Sequence, residues 1–145
     1  MPFYDLDQLI EETYGNSIPA LFLEEGEAGF RQKERDVLQN FLARTSHFIL
    51  ATGGGAPCFY DNMERLNAAS HTLYLAVEPD EIVQRLHQEA REQRPMFAGL
   101  NTAEARMKLQ DLLSIRERYY EEAKIKLSTD QIRTEFVIAQ LLGLL

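Results

Sequence analysis

The chain has 145 residues, 45% apolar and 26% charged, with a formal net charge of −8. That length points to one domain around one core, and the composition is that of an ordinary globular protein. The negative balance argues against nucleic acid as the main partner, no apolar run approaches the ~20 residues of a membrane span, and the single cysteine, Cys58, excludes an internal disulfide. The opening "MPFYDLDQL" has neither a basic n-region nor a long apolar h-region, so no signal peptide is expected. The expected location is the cytoplasm.

"PFYDLD" reads as a short strand ending in acids. "DLDQLIEETYG" starts a helix with Asp5 or Asp7 as N-cap and Gly15 as its stop. In "NSIPALFLEEG", Ser17 caps a short helix, Pro19 is tolerated in the first turn, and Gly26 ends it. From Glu27 to Arg44 the apolar residues Phe30, Val37, Leu38, Phe41 and Leu42 keep a helical period. "HFILAT" reads as a buried parallel strand, "FYDNMERLNAA" as a helix and "HTLYLAV" as a strand. "EPDEIVQRLHQEARE" is a helix with acids at its positive end, followed by the loop "QRPMFAGLN". A long helix "TAEARMKLQDLLSIRERYYEEA", a strand "IKLST" and a closing helix "DQIRTEFVIAQLLGLL" complete the chain, the last with Ile132, Phe136, Val137, Leu141 and Leu142 as its apolar positions. Strands alternating with helices imply right-handed crossovers and a parallel sheet covered on both faces. Ligands in such sheets bind at the carboxyl ends of the strands, where Asp5, Asp7 and the triplet Gly53, Gly54 and Gly55 fall.

Several residues at these ends suit chemistry. Asp5 and Asp7 point the same way if the chain stays extended, and could accept from hydroxyls, support hydrated magnesium or act as a base; alternatively one simply caps the helix. Arg31 and Glu34, three apart, can pair along one helix face and fix a guanidinium fork for a ligand carboxylate. Three glycines in a row exceed what a turn needs and let backbone N–H groups approach a ligand. Arg94 lies in the longest loop, before Pro95, as a phosphoryl-transfer lid would require. Arg116 and Arg118 sit late in a long helix, where they also offset its dipole.

In this order the set resembles the shikimate kinases, small P-loop enzymes of the nucleoside-monophosphate-kinase type. The resemblance runs from "FYDLD" through "GNSIPALFLEEGEAGFRQKE", "ATGGGAP", "HTLYL" and "RPMFAGL" to "IKLST". It implies a three-layer α/β/α parallel sheet in a single domain, residues 1–145, with a lid at about 88–102. The implied reaction is transfer of a phosphoryl group from ATP to the 3-hydroxyl of shikimate, with Mg2+, on the route to chorismate and the aromatic amino acids. On this chain Asp7 matches the acid that binds shikimate hydroxyls and serves as base, and Asp5 the acid that supports magnesium. Arg31 and Arg116 match the pair that grips the substrate carboxylate. Gly53, Gly54 and Gly55 match the glycines against shikimate, and Ile18, Phe22 and Phe30 the apolar pocket wall. Arg94 matches the lid arginine that reaches the phosphates. One departure is Arg118, where the family usually has proline.

A second departure is larger. A phosphate-binding loop needs G-x-x-x-x-G-K followed by Ser or Thr, and none of the eight glycines precedes a lysine. In the family that loop and its strand precede the segment matching "PFYDLD", roughly 30 residues. The strand lies between those matching "HFILAT" and "HTLYL". Its loss would leave two inner edges facing a gap, with unpaired backbone groups costing on the order of 1–3 kcal/mol each. The sheet is then expected to close up, recruit a strand from another molecule or be unstable. The expectation is therefore an N-terminally truncated or mis-started product, inactive as given, or a descendant that has lost catalysis. A complete chain is expected to be a monomer and a truncated one to self-associate. Two other readings remain: a non-catalytic shikimate-binding remnant, and another small-molecule kinase of the superfamily, such as a gluconate-type enzyme.

Overall fold

The computed structural model describes residues 1–88, 97 and 99–132. The chain divides into two compact units, Met1–Thr72 and Leu73–Leu145.

The first unit begins with β1 (Phe3–Asp5), a three-residue strand that stops because Asp5 turns its side chain to cap α1 (Leu6–Tyr14). Leu6 and Ile10, four apart on α1, are fully buried. Gly15 ends α1 in the left-handed conformation that costs glycine least, and its N–H donates to the Glu11 carbonyl. α2 (Ile18–Arg44) starts as anticipated, with Ser17 Oγ accepting from the Ala20 N–H. Gly26, at φ 69° and ψ −178°, breaks α2 into the two helical pieces that the sequence suggests. Beyond the break, Phe30, Val37, Leu38 and Phe41 bury the expected stripe. Phe41 packs edge-on against Tyr4 of β1 at 5.0 Å and against Phe48 at 4.9 Å, which ties α2 to the strands. Leu38→Ala would cost about 2–5 kcal/mol at so closed a position. β2 (Ile49–Ala51) pairs parallel with β1, Phe3 beside Ile49 and Asp5 beside Ala51. The glycine triplet, a short 3-10 turn at Ala56–Cys58 and α3 (Asn62–Ala69) complete this unit.

In the second unit β3 (Leu73–Ala76) pairs parallel with β4 (Ile125–Ser128), joined through α4 (Pro79–Gln88) and α5 (Thr102–Tyr120). The N-terminus of α5 is closed by a reciprocal capping box: Asn101 accepts from the Glu104 N–H at 2.9 Å, and Glu104 accepts from the Asn101 N–H at 2.8 Å. Val83, Ala105, Leu109 and Leu127 form its buried apolar set among the described residues. Tyr74 of β3 meets Tyr120 at 5.2 Å between centroids.

One expectation changes here. "HFILAT" is not a buried strand: Ile49 remains 44% exposed, because β2 has one strand neighbour. Leu75 on β3 is 47% exposed for the same reason. The described strands form two parallel pairs, β1 with β2 and β3 with β4. The closing helix and its Phe136, Val137, Leu141 and Leu142, Arg94, and most of the expected lid lie outside the described residues.

Candidate functional site

Arg31 is the centre of the first unit's polar chemistry. It is only 8% exposed, and its partner Glu34 is 2% exposed. Its Nη1 donates to both carboxylate oxygens of Glu34, at 2.8 and 3.1 Å, the pairing that the three-residue spacing anticipates. Glu27 lies 3.7 Å from Nε. Three aromatic rings surround the guanidinium: Phe59 at 4.3 Å, Phe30 at 5.2 Å and Phe22 at 5.8 Å. Phe22 and Phe30 stack on one another at 4.2 Å across the Gly26 break, which brings two predicted pocket residues together. Ile18 opens α2, where its N–H donates to the Glu11 side chain at 2.9 Å. A charge held in such a box is poorly hydrated, so each contact it makes carries more weight than it would in water.

The glycine triplet follows β2. Gly53 adopts φ 69°, a conformation that a side chain would strain. Gly55 lies against Arg31: a Cβ there would sit 2.6 Å from both terminal guanidinium nitrogens. The bulky object near Gly55 is therefore first of all the chain's own arginine. The triplet is anchored behind by fully buried Asn62, whose Nδ2 donates to the Ala56 carbonyl at 2.9 Å. Cys58 Sγ lies 3.6 Å from the Gly54 carbonyl.

The two acids part company. The chain does not stay extended through "DLD". Asp5 Oδ1 accepts from the Asp7 N–H at 2.8 Å and the Gln8 N–H at 3.4 Å, which is the capping role, while Asp7 lies in the first turn of α1. Asp7 keeps solvent contact, yet its carboxyl is pushed above its ordinary range. Reduced hydration is the largest cause, followed by the negative charges of Asp5 and Glu11, with Arg31 pulling the other way. A carboxylate raised in this manner holds a proton better than a free one, as a base needs to.

Arg116 is on α5, in the second unit, half-buried. Arg118 does not bend the helix as proline would. Its Nη2 donates to the Tyr119 hydroxyl at 2.8 Å, and α5 runs on to Tyr120. Among the described residues there is no group of three or more His, Cys, Asp or Glu placed to hold a metal. Asp5, expected to support magnesium, has its Oδ1 engaged in the cap of α1. No helix of the described residues is long and apolar enough to cross a membrane.

Comparison with known proteins settles the family. The family model for shikimate kinase matches residues 1–145. The chain belongs to the shikimate kinase family. The shikimate kinase of Bacteroides thetaiotaomicron is 39% identical over 138 residues, covering 95% of this chain and 78% of the relative. That of Phocaeicola vulgatus is 39% identical over 130 residues, 90% of this chain and 73% of its own. A crystal structure of the B. thetaiotaomicron enzyme superposes with a TM-score of 0.89 at 36% identity, over 100% of this chain and 85% of the other. The Acinetobacter baumannii shikimate kinase, solved in complex with shikimate, gives 0.82 at 35%, over 99% and 77%. The helices and parallel strand pairs are thus those of a P-loop α/β kinase.

Sequence reasoning missed Phe59, the ring closest to Arg31. The available signal was the aromatic pair "FY" directly behind the glycine turn.

Proposed function

We propose that the first unit binds shikimate, with the substrate carboxylate on Arg31 and its hydroxyls toward Asp7, and that the family's phosphoryl transfer uses this site. The observation that carries the reading is the caged Arg31. A guanidinium pinned by Glu34, walled by three rings and laid against Gly55 is already oriented and partly dehydrated, which favours a bidentate carboxylate contact. By the family resemblance, Arg116 matches a second carboxylate-binding arginine. Ile18, Phe22 and Phe30 would wall the ring. Gly53 and Gly54, bare of side chains, would let the chain lie against it.

In the reaction Asp7 would orient the 3-hydroxyl and take its proton as that oxygen bonds to the γ-phosphorus of ATP and the bond to the ADP oxygen breaks. Magnesium, when bound with ATP, neutralises phosphate charge, and Asp5 would support it from outside its water shell. By the family resemblance, Arg94, outside the described residues, matches the phosphate-binding lid arginine. The 145 residues contain no G-x-x-x-x-G-K.

Calorimetric titration with shikimate, then with ATP and magnesium, tests this. Shikimate binding that is lost in Arg31→Ala and kept in Arg44→Ala, an exposed arginine, is the expected result. Equal effects of the two substitutions would overturn the assignment. Shikimate binding without ATP binding identifies a substrate site that lacks its phosphate loop.

A further inference from the structure

The segment after the glycine turn meets α2 through consecutive side chains. Phe59 lies over Arg31 at 4.3 Å, and Tyr60 lies over Arg35 at 5.0 Å. Arg31 and Arg35 are one helical turn apart on the same face. In an extended chain successive side chains point opposite ways, so two neighbouring rings could not both face one helix. Here Phe59 is extended, at φ −118° and ψ 145°, but Tyr60 has φ 53°, the left-handed region that a bulky residue seldom enters. That turn brings both rings onto α2. Such strain persists only where the surroundings hold it, and they do so here. Asp61 Oδ2 accepts from Arg65 Nε at 2.8 Å, and Asp61 Oδ1 lies 3.7 Å from Arg35 Nε. With its amide swapped to the orientation that satisfies both groups, Gln39 accepts through its oxygen from Arg35 Nε at 2.8 Å and Arg65 Nε at 3.2 Å.

We propose that Tyr60, by stacking on Arg35 in a left-handed turn, is a positioning residue that sets Phe59 over Arg31 and so fixes the guanidinium for the substrate carboxylate. The proposal rests on the reading that Arg31 takes that carboxylate. Tyr60 stacks on Arg35. It acts through the placement of Phe59, and its anchors are Arg35 on α2 and Asp61, the residue just before α3.

The test is shikimate titration of the full 145-residue chain, with thermal midpoints measured in parallel. Tyr60→Asn keeps a residue that tolerates the left-handed turn but removes the ring. Arg35→Gln removes the cation beneath it, and Tyr60→Phe keeps the stack. The first two are expected to weaken shikimate binding about fivefold, the scale of one cation–π contact, with midpoints unmoved and Tyr60→Phe binding like the parent. Should Tyr60→Asn fail to fold, Arg35→Gln decides alone. Unchanged affinity in both, while Arg31→Ala abolishes binding, overturns the positioning role and leaves the proposed function standing. Weakened affinity that tracks a lowered midpoint also overturns it, since a merely structural part would do that. No binding by the parent chain overturns the underlying reading, and this one with it.

Discussion

Replacing Gly55 by alanine would place a methyl group 2.6 Å from Nη1 and Nη2 of Arg31 and 2.8 Å from its Cζ. To reach ordinary contact at 3.4 Å the guanidinium must retreat by roughly 0.8 Å. An exposed arginine would swing away at little cost. This one is 92% buried, boxed by Phe22, Phe30 and Phe59, and bonded to Glu34 at 2.8 Å. If the box resists, the strain is that of an overpacked core, about 1–3 kcal/mol. If the arginine gives way, it leaves a buried Glu34 carboxylate less well paired, and full rupture of such a pair costs about 3–5 kcal/mol. Either route lowers the urea midpoint. The site is affected as well, because a guanidinium displaced that far loses the alignment of a charge-assisted hydrogen bond to the substrate, a contact on the scale of about 1.5–3 kcal/mol. Gly55→Ala is therefore expected to unfold at lower urea and to bind shikimate about 10- to 100-fold more weakly. Chemical unfolding followed by circular dichroism, with calorimetric titration of the folded fraction, reads both. An alanine variant with the parent's midpoint and the parent's affinity would refute the close approach of Gly55 to Arg31 as the reason for glycine there.

Asp7→Asn should separate stability from function. Because the folded state holds the Asp7 proton to a higher pH than the unfolded chain does, the folded state binds more protons over that interval, and stability falls as pH rises from the ordinary carboxylate range through the raised value. The asparagine variant is expected to lose that decline, so its thermal midpoint above the interval equals or exceeds the parent's, while hydroxyl-dependent shikimate affinity drops; a midpoint below the parent's at neutral pH would contradict the raised carboxyl. Asp5→Asn retains a capping side chain and removes the charge, whereas Asp5→Ala removes both. Unfolding measurements should show about 1 kcal/mol lost in the alanine variant and little in the asparagine one, and equal losses would mean that the cap is not what Asp5 contributes to the fold.

Local rules carried much of this molecule. Ser17, Gly15 and Gly26 punctuate the helices where their chemistry places them, and the Arg31–Glu34 pair follows from a spacing of three. The apolar period of Phe30, Val37, Leu38 and Phe41 maps onto the buried face directly. What escaped depended on backbone state and partners distant in sequence. "YDLD" permits either a strand continuation or a cap, and only the start of α1 at Leu6 decides that Asp5 caps and Asp7 turns away. The need for glycine at position 55 lies 24 residues away, in the guanidinium of Arg31. Phe59 and Tyr60 look like ordinary helix-leading aromatics until a positive φ at Tyr60 rotates both toward α2. No residue-type preference announces a tyrosine in that region. The strand "HFILAT" misled in another way: an apolar composition reports what a strand can bury, not how many neighbours it has.

The interruption at Gly26 has an electrostatic side. An unbroken 27-residue helix would carry one positive end, at Ile18. Breaking the peptide alignment at Gly26 creates a second positive end at the start of the following piece, little more than one turn before Arg31. Arg31 Nε lies 3.7 Å from Glu27 in that first turn, so the guanidinium sits within reach of that field. A cation there is slightly disfavoured, and Glu27 in the same turn offsets part of that cost. An incoming anion sees the sum: a formal charge reinforced by roughly half a charge of aligned peptide dipoles. One glycine thus does for the local potential what an additional basic side chain would do, without filling any of the space an anion must enter.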